Sequence, residues 1–333
     1  MTDACRRRVL HALAAAALAV RSTAYGQAPP PARTWRVGVL SPRARPPALD
    51  RDYYGAFPRR LAELGYVEGR NLAIDWRFGG GDYGRLPALA GELVAAKVDA
   101  ILALGPPGMA AARGATATIP IVVVSSIDPV AAGYAKSLAQ PGGNVTGLSN
   151  LGTDLGAKHV ELLLTMAPAV TRLAVLVNPG NAAHAVVRRN VETAAGARVR
   201  ILAVEARTVP EIEQAFATIV RERAGAVVVS LDPLFIQQGP EIARQAASRR
   251  LPSISANREY AEAGGLMSYG QNQVAIYRRA AEYVDRILKG ASPARLPIEQ
   301  PATVELVING ATAKALGLAV PQSLRISADT VLE

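Results

Sequence analysis

Ser126-Ile127-Asp128-Pro129 and Ser230-Leu231-Asp232-Pro233 set the same chemistry at two points about a hundred residues apart. Each follows a run of apolar, largely β-branched residues, 121–124 and 226–230. Such runs read as strands buried on both faces of a parallel sheet. In open α/β sheets the ligand crevice lies beyond the carboxyl ends of the strands. Other strand ends carry comparable groups: Ser41, Gly105-Pro106, Asn178 and Asn257. Hydroxyls, amides and carboxylates gathered this way suit hydrogen bonding to a small polar molecule, and Tyr269 and Phe235 are available as an aromatic wall. The candidate ligand contacts are Ser41, Gly105, Pro106, Ser126, Asp128, Asn178, Asp232, Asn257 and Tyr269. Competing structural roles exist. Asp128 and Asp232 each precede a proline at a helix N1 position, which suits an N-cap. Phe235 and Tyr269 suit an ordinary core.

Other chemistries find less support. The histidines are His11, His159 and His184, none with a His or Cys partner at ligand spacing, so no metal site is expected. His159 shares an apolar helix stripe with Leu155, Leu162 and Met166 and reads as a packed or interfacial residue. A Ser–His–Asp triad would have to be assembled from distant residues, and nothing local points to one. Gly79-x-Gly81-x-x-Gly84 matches a dinucleotide fingerprint in letters only. It follows the second strand rather than the first, and the nearest acid, Asp99, is too close. A flexible loop with Asp82 as cap fits better. There is no Walker sequence and no GxSxG elbow, so no cofactor is expected.

The elements that must position these groups alternate between strand and helix. Strands are expected at 36–40, 72–76, 98–104 and 121–124, with helices between them. The helix bearing Tyr54, Phe57, Leu61 and Leu64 is interrupted by Pro58 and ended by Gly65. A helix is expected at 109–116 after a Gly105-Pro106-Pro107-Gly108 loop, and another at 130–138. The pattern restarts after Asn150, with strands at 173–177, 199–204, 226–230 and 252–255, a helix at 212–222, and one further helix before Pro252. That is the signature of parallel sheets with right-handed crossovers, here in two blocks near 35–150 and 151–256. The tail holds a strand at 264–270 between the two blocks, a long amphipathic helix at 274–288, a strand at 304–308 and a last helix at 311–316. A tail of that length can return to each block in turn, giving several crossings and a hinge.

Half the 333 residues are apolar and 19% are charged, which describes a globular chain rather than a disordered one. Net charge is +10, but the basic residues outside the N-terminus are scattered, with no basic helix and no aromatic RNA-binding strand, so no nucleic-acid partner is expected. Arg6-Arg7-Arg8 followed by the apolar run 9–20 and small residues to position 28 reads as a cleavable signal peptide over 1–27, with a proline-rich linker over 28–34. The Sec route fits, with twin-arginine export as the alternative. The apolar run is too short to span a membrane. The single cysteine, Cys5, lies inside that signal.

The stretches 64–71 (LGYVEGRN), Asp128-Pro129-Val130, Ser137-Leu138-Ala139, 141–147, Asn178-Pro179, 264–270, 283–290 and 313–318 resemble the ABC transporter substrate-binding proteins of the tryptophan/tyrosine-transporter type. The likeness runs over nearly all of 35–333. It implies an α/β fold of the type I periplasmic-binding class: two doubly wound parallel-sheet lobes joined by a multi-crossing hinge. The lobes would be 35–148 plus about 270–296, and 149–268 plus about 297–333. It also implies an extracytoplasmic, periplasmic receptor without enzymatic activity. Such a receptor holds a small polar or aromatic, amino-acid-like ligand between the lobes and serves an inner-membrane ABC permease, as a monomer. The loop after the third strand is commonly hydroxyl-rich in that family. Here it is Gly105-Pro106-Pro107-Gly108, so a ligand carboxylate would rely on backbone N–H groups or Ser126. A secreted hydrolase-like enzyme and a ligand-binding sensory subunit are the alternatives.

Overall fold

A computed structural model describes residues 33–126, 128–149, 155–301 and 303–333; the side chains of Ser125 and Ser126 lie outside it, as does the expected signal peptide. The first strand, β1 (Trp35–Ser41), leads through a 3₁₀ turn (Tyr53–Gly55) into α1 (Ala56–Glu63). Pro58 falls in the first turn of α1, where its missing N–H costs nothing, so the expected interruption is an entry. Gly65 follows the helix with φ +94°, the left-handed position that ends it. Then come β2 (Leu72–Phe78), α2 (Leu86–Ala95), β3 (Ala100–Leu104), α3 (Gly105–Ala115), β4 (Ile121–Ser126) and β5 (Val145–Ser149). All five strands are parallel, in the order β2-β1-β3-β4-β5. The residues of β3 are buried throughout, as expected of a strand covered on both faces.

Two sequence expectations are corrected here. The 105–108 loop does not exist: α3 begins at Gly105 and takes Pro106 and Pro107 into its first turn, where proline is tolerated because those N–H groups have no intrahelical partner. The helix expected at 130–138 is also absent. The N–H groups of Tyr134 and Ala135 both donate to the Pro129 carbonyl, at 2.8 and 3.0 Å. Gly133 turns left-handed at φ +75° and stops any helix from extending.

The second sheet begins after α4 (Leu155–Met166) with β6 (Arg172–Val177), α5 (His184–Ala195), β7 (Arg200–Glu205), α6 (Val209–Arg221) and β8 (Ala226–Val229). Two short helices follow, α7 (Pro233–Gln237) and α8 (Gly239–Ser248), where one was expected. Next are β9 (Ser253–Ser255), α9 (Arg258–Glu262), β10 (Met267–Gln271), α10 (Gln273–Leu288), β11 (Val304–Asn309), α11 (Gly310–Ala315), α12 (Gln322–Ser327) and β12 (Thr330–Leu332). The sheet order is β12-β11-β10-β9-β8-β6-β7. The strand expected between the two blocks is therefore a member of the second sheet: β10 runs parallel to β9 and antiparallel to β11. Gly270 permits that pairing, because a Cβ there would sit 1.8 Å from the Ala256 carbonyl oxygen.

Each sheet carries apolar cores on both faces, so both lobes are doubly wound. In the first lobe one core is built from α1 and α10 and the other from α2 and α3. α10 comes late in the chain, yet Ile276, Tyr277, Ala280, Ala281 and Val284 bury its apolar stripe in the first lobe. Asn272 caps it, accepting from the Ala275 N–H at 3.0 Å. The chain thus passes between the sheets after Ser149, after Gln271 and again after Glu299. Glu299 lies alongside β5, donating to the Gly147 carbonyl at 2.9 Å and accepting from the Ser149 N–H at 2.8 Å. These passages form the hinge.

Candidate functional site

In an open parallel sheet the chain must leave in opposite directions from two adjacent strands, and a crevice opens beyond their carboxyl ends. In the first sheet those strands are β1 and β3; in the second they are β6 and β8. Pro42 and Arg43 follow β1, and Gly105 and Pro106 follow β3. Ala183 and His184 come shortly after β6, and Ser230, Leu231 and Pro233 follow β8. All of these residues line one cavity of about 80 Å³. One water requires only about 10–15 Å³, so a small organic molecule fits better than a lone solvent molecule. Gly105 has φ +66°, the left-handed region that favours glycine, and a Cβ there would touch the Pro233 ring of the other lobe at an ordinary 3.5 Å.

The first lobe supplies an aromatic wall and a cation. Tyr53, Tyr54 and Tyr277 line the cavity with ring centroids 5.0–5.2 Å apart. The Arg43 guanidinium lies 5.1 Å from the Tyr53 centroid and 5.0 Å from that of Tyr54, within cation–π range. It donates to the Tyr53 hydroxyl and, at 3.3 Å, to Asp52. Its Nε is buried with no partner. Burial works against the Arg43 cation, but the tyrosines and Asp52 outweigh it and the group stays charged. Burial pushes all three tyrosine hydroxyls above their usual range, so they stay neutral.

The second lobe supplies two neutral imidazoles. His159 is 5% exposed, and its Nε2 donates to the Tyr269 carbonyl at 2.7 Å, which fixes the tautomer. Burial pulls its pKa down to about 4. His184 accepts from the Asn178 N–H at Nδ1 (2.7 Å) and donates from Nε2 to the Leu231 carbonyl (3.2 Å). Burial lowers its pKa too, against the pull of Asp232. Both of its nitrogens are used, and the buried Ser230 hydroxyl has no partner. The Ser230–His184–Asp232 trio therefore lacks the serine-to-base hydrogen bond that nucleophilic catalysis needs. Among the described residues, no group of His, Cys, Asp and Glu is placed to hold a metal ion.

Asp232 has no solvent exposure and accepts from four donors. They are the Leu234 N–H of α7 (3.0 Å), Asn178 Nδ2 (3.2 Å), Asn181 Nδ2 (2.9 Å) and the Tyr83 hydroxyl (2.7 Å). Tyr83 belongs to the first lobe, so this last bond crosses between lobes. The Tyr83 hydroxyl also accepts from the Leu234 N–H at 3.4 Å, and a further crossing joins the Ala44 N–H to Gln237 Oε1 at 2.8 Å.

The residues singled out in the sequence are distributed as follows. Gly105 and Pro106 line the cavity. Ser41 lies just below it, bonded to the Tyr54 hydroxyl at 2.8 Å. Asn178 and Asp232 form the network behind the Leu231 and Pro233 lining. Asn257 is buried against Ser255 and Glu259. Tyr269 packs edge-on to His159, with centroids 6.2 Å apart. Phe235 is buried and stacks on His184. Asp128 is exposed and caps the N–H groups of Val130 and Ala131. The Ser126 side chain lies outside the described residues. Arg43, the three tyrosines, both histidines and Gln273 line the cavity without having been singled out as contacts. Arg43 was within reach of sequence reasoning, two residues beyond Ser41 at a strand end. Tyr277 was not, because its helix arrives from the far end of the chain.

A family model described as "ABC transporter substrate binding protein" matches residues 37–332. A tyrosine-binding protein of Clostridioides difficile is 29% identical over 294 residues, covering 86% of this chain and 80% of that one. The solved structure of an ABC domain in complex with L-Trp from Streptococcus pneumonia is 26% identical, with TM-score 0.81, over 90% of this chain and 100% of that one. A ligand-free, open substrate binding protein from Clostridium difficile, described as having adhesive properties, is also 26% identical, over 90% and 99%, but with TM-score 0.61.

Proposed function

This chain belongs to the ABC transporter substrate binding protein family, and from that premise we propose that it is the extracytoplasmic receptor of an ABC import system. It captures a small aromatic or polar, amino-acid-like solute by closing its two lobes and hands it unchanged to an inner-membrane permease. It does so as a monomer exported by a cleaved signal peptide, with residues 35–148 and about 270–296 as one lobe and 149–268 and about 297–333 as the other. The observation that carries this reading is the meeting of two switch-point crevices, one per sheet, around a single cavity. Closure would exclude water and strengthen every polar contact inside. The relatives support it: at equal identity, the chain superimposes better on the L-Trp complex than on the open, ligand-free structure, as a closed arrangement would.

The test is a distance between the lobes. Val67 and Val220 are exposed, one on each lobe, and the only native cysteine is Cys5. Spin labels on Val67→Cys and Val220→Cys report opening and closing. A panel of amino acids, aromatic acids and sugars is screened, and at least one compound should shorten the distance saturably and be recovered intact. A distance unmoved by every compound, or a compound recovered transformed, contradicts the proposal.

A further inference from the structure

The charge pattern of the cavity narrows the solute. Among the described residues, Arg43 is the only charged side chain in the lining, and no Asp or Glu belongs to it. An amino acid's ammonium entering this space would be stripped of water without a carboxylate to meet it, which is costly. The acids behind the wall have partners of their own: Glu259, within electrostatic reach of Tyr53, does not line the cavity and accepts from Asn257 Nδ2 at 3.3 Å. Asp52 gives Oδ1 to the Tyr54 N–H (3.0 Å) and Oδ2 to Arg43. Asp232 is saturated by four donors. Nor can the Tyr53 and Tyr54 rings accept a second cation readily, because the Arg43 guanidinium already sits against both.

An anion meets the opposite situation. A helix N-terminus at a strand end ordinarily offers a row of free N–H groups. Here Pro106 and Pro107 occupy the first turn of α3 and remove two of them. The strong donor left is Arg43, whose buried Nε has no partner, together with the unpartnered Ser230 hydroxyl. Guanidinium groups pair readily with carboxylates.

Resting on the receptor reading above, we infer that the cavity selects a flat aromatic carboxylic acid that lacks the α-ammonium group, with its carboxylate on Arg43 and its ring against Tyr53, Tyr54 and Tyr277.

Calorimetry on the purified protein with three matched probes tests this: indole-3-propionate, indole-3-propionamide and L-tryptophan. Indole-3-propionate should bind at least about tenfold more tightly than either of the others, since a hydrogen-bonded charge pair is worth a tenfold or greater change. Arg43→Gln should weaken indole-3-propionate about ten- to hundredfold and leave the neutral amide within a few-fold. Should that variant fold poorly, the three-probe comparison on the unaltered protein decides alone. L-Tryptophan binding as tightly as the desamino acid overturns the inference and leaves the receptor reading standing. No binding by any of the three also overturns it, while the lobe-distance screen still judges the receptor reading separately.

Discussion

Tyr83→Phe removes a single hydroxyl and should loosen the closed state without touching the solute. Tyr83 does not line the cavity, so no direct ligand contact is lost. Its hydroxyl is one of four donors to Asp232. The other three stay with the second lobe, so the carboxylate is not left buried and unpaired, and the larger penalty of an orphaned charge does not apply. What is lost is the hydrogen bond to an ionised group, about 1.5–3 kcal/mol; the hydroxyl also accepts from the Leu234 N–H at 3.4 Å, but that N–H keeps its shorter bond to Asp232 at 3.0 Å. Because the Tyr83–Asp232 bond joins the lobes, the loss falls on the open–closed balance. At about 1.4 kcal/mol per tenfold, the ratio of closed to open should drop about 10- to 150-fold. Apparent affinity should weaken by up to that factor where closure is required for binding, mostly through faster release. The Val67/Val220 label pair reads the populations, and calorimetry on the same variant reads the affinity. The Ala44–Gln237 bond remains, so closure by ligand should still occur. If Tyr83→Phe lowers the unfolding midpoint but leaves the closed population and the affinity unchanged, Tyr83 is a structural residue and the latch reasoning is refuted.

Further outcomes follow from individual side chains. His159 has a pKa of about 4 in the fold against 6.5 for an ordinary histidine, so the unfolded chain takes up its proton first. Its neutral form therefore contributes stability that is complete above pH 6.5 and lost as pH falls toward 4, about 3 kcal/mol in all. Urea unfolding at pH 7 and pH 4.5 should show a smaller loss for His159→Gln than for the unaltered protein; equal losses would rule this out. Asp128→Ala removes an exposed cap on two turn N–H groups. It should cost about 1 kcal/mol and leave solute affinity unchanged by calorimetry, whereas a large affinity loss would make Asp128 a ligand contact. Gly270→Ala places a methyl against the Ala256 carbonyl, and denaturant titration should show a loss of several kcal/mol or no folded protein.

The parallel strands were legible in the sequence because a strand covered on both faces is apolar along its length, as in β3, β8 and residues 121–124 of β4. Their ends were legible too, because small and polar residues interrupt the apolar run abruptly. What local pattern could not supply was packing across the chain. Tyr277 joins the aromatic wall only because α10, more than two hundred residues later, brings it against Tyr53 and Tyr54. The segment 130–138 has helical composition, but Gly133 and the doubly used Pro129 carbonyl make it a turn. α12 and β12 were not anticipated. They are short and mostly exposed, with Leu324 the buried residue of α12, so neither carries the periodic apolar signal that marks an element. The tail strand was placed between the blocks because its pairing with β11 depends on an antiparallel register that no local feature announces.

The most direct measurement is mass spectrometry of the exported protein, first intact under native conditions and then after denaturation, following incubation with an equimolar mixture of the panel compounds. A solute gripped between the lobes predicts one bound small molecule per chain, released on unfolding with its mass unchanged, and absent when Arg43→Gln is combined with Tyr83→Phe. Release of a chemically altered product, or retention of the same molecule by the doubly substituted chain, would contradict it.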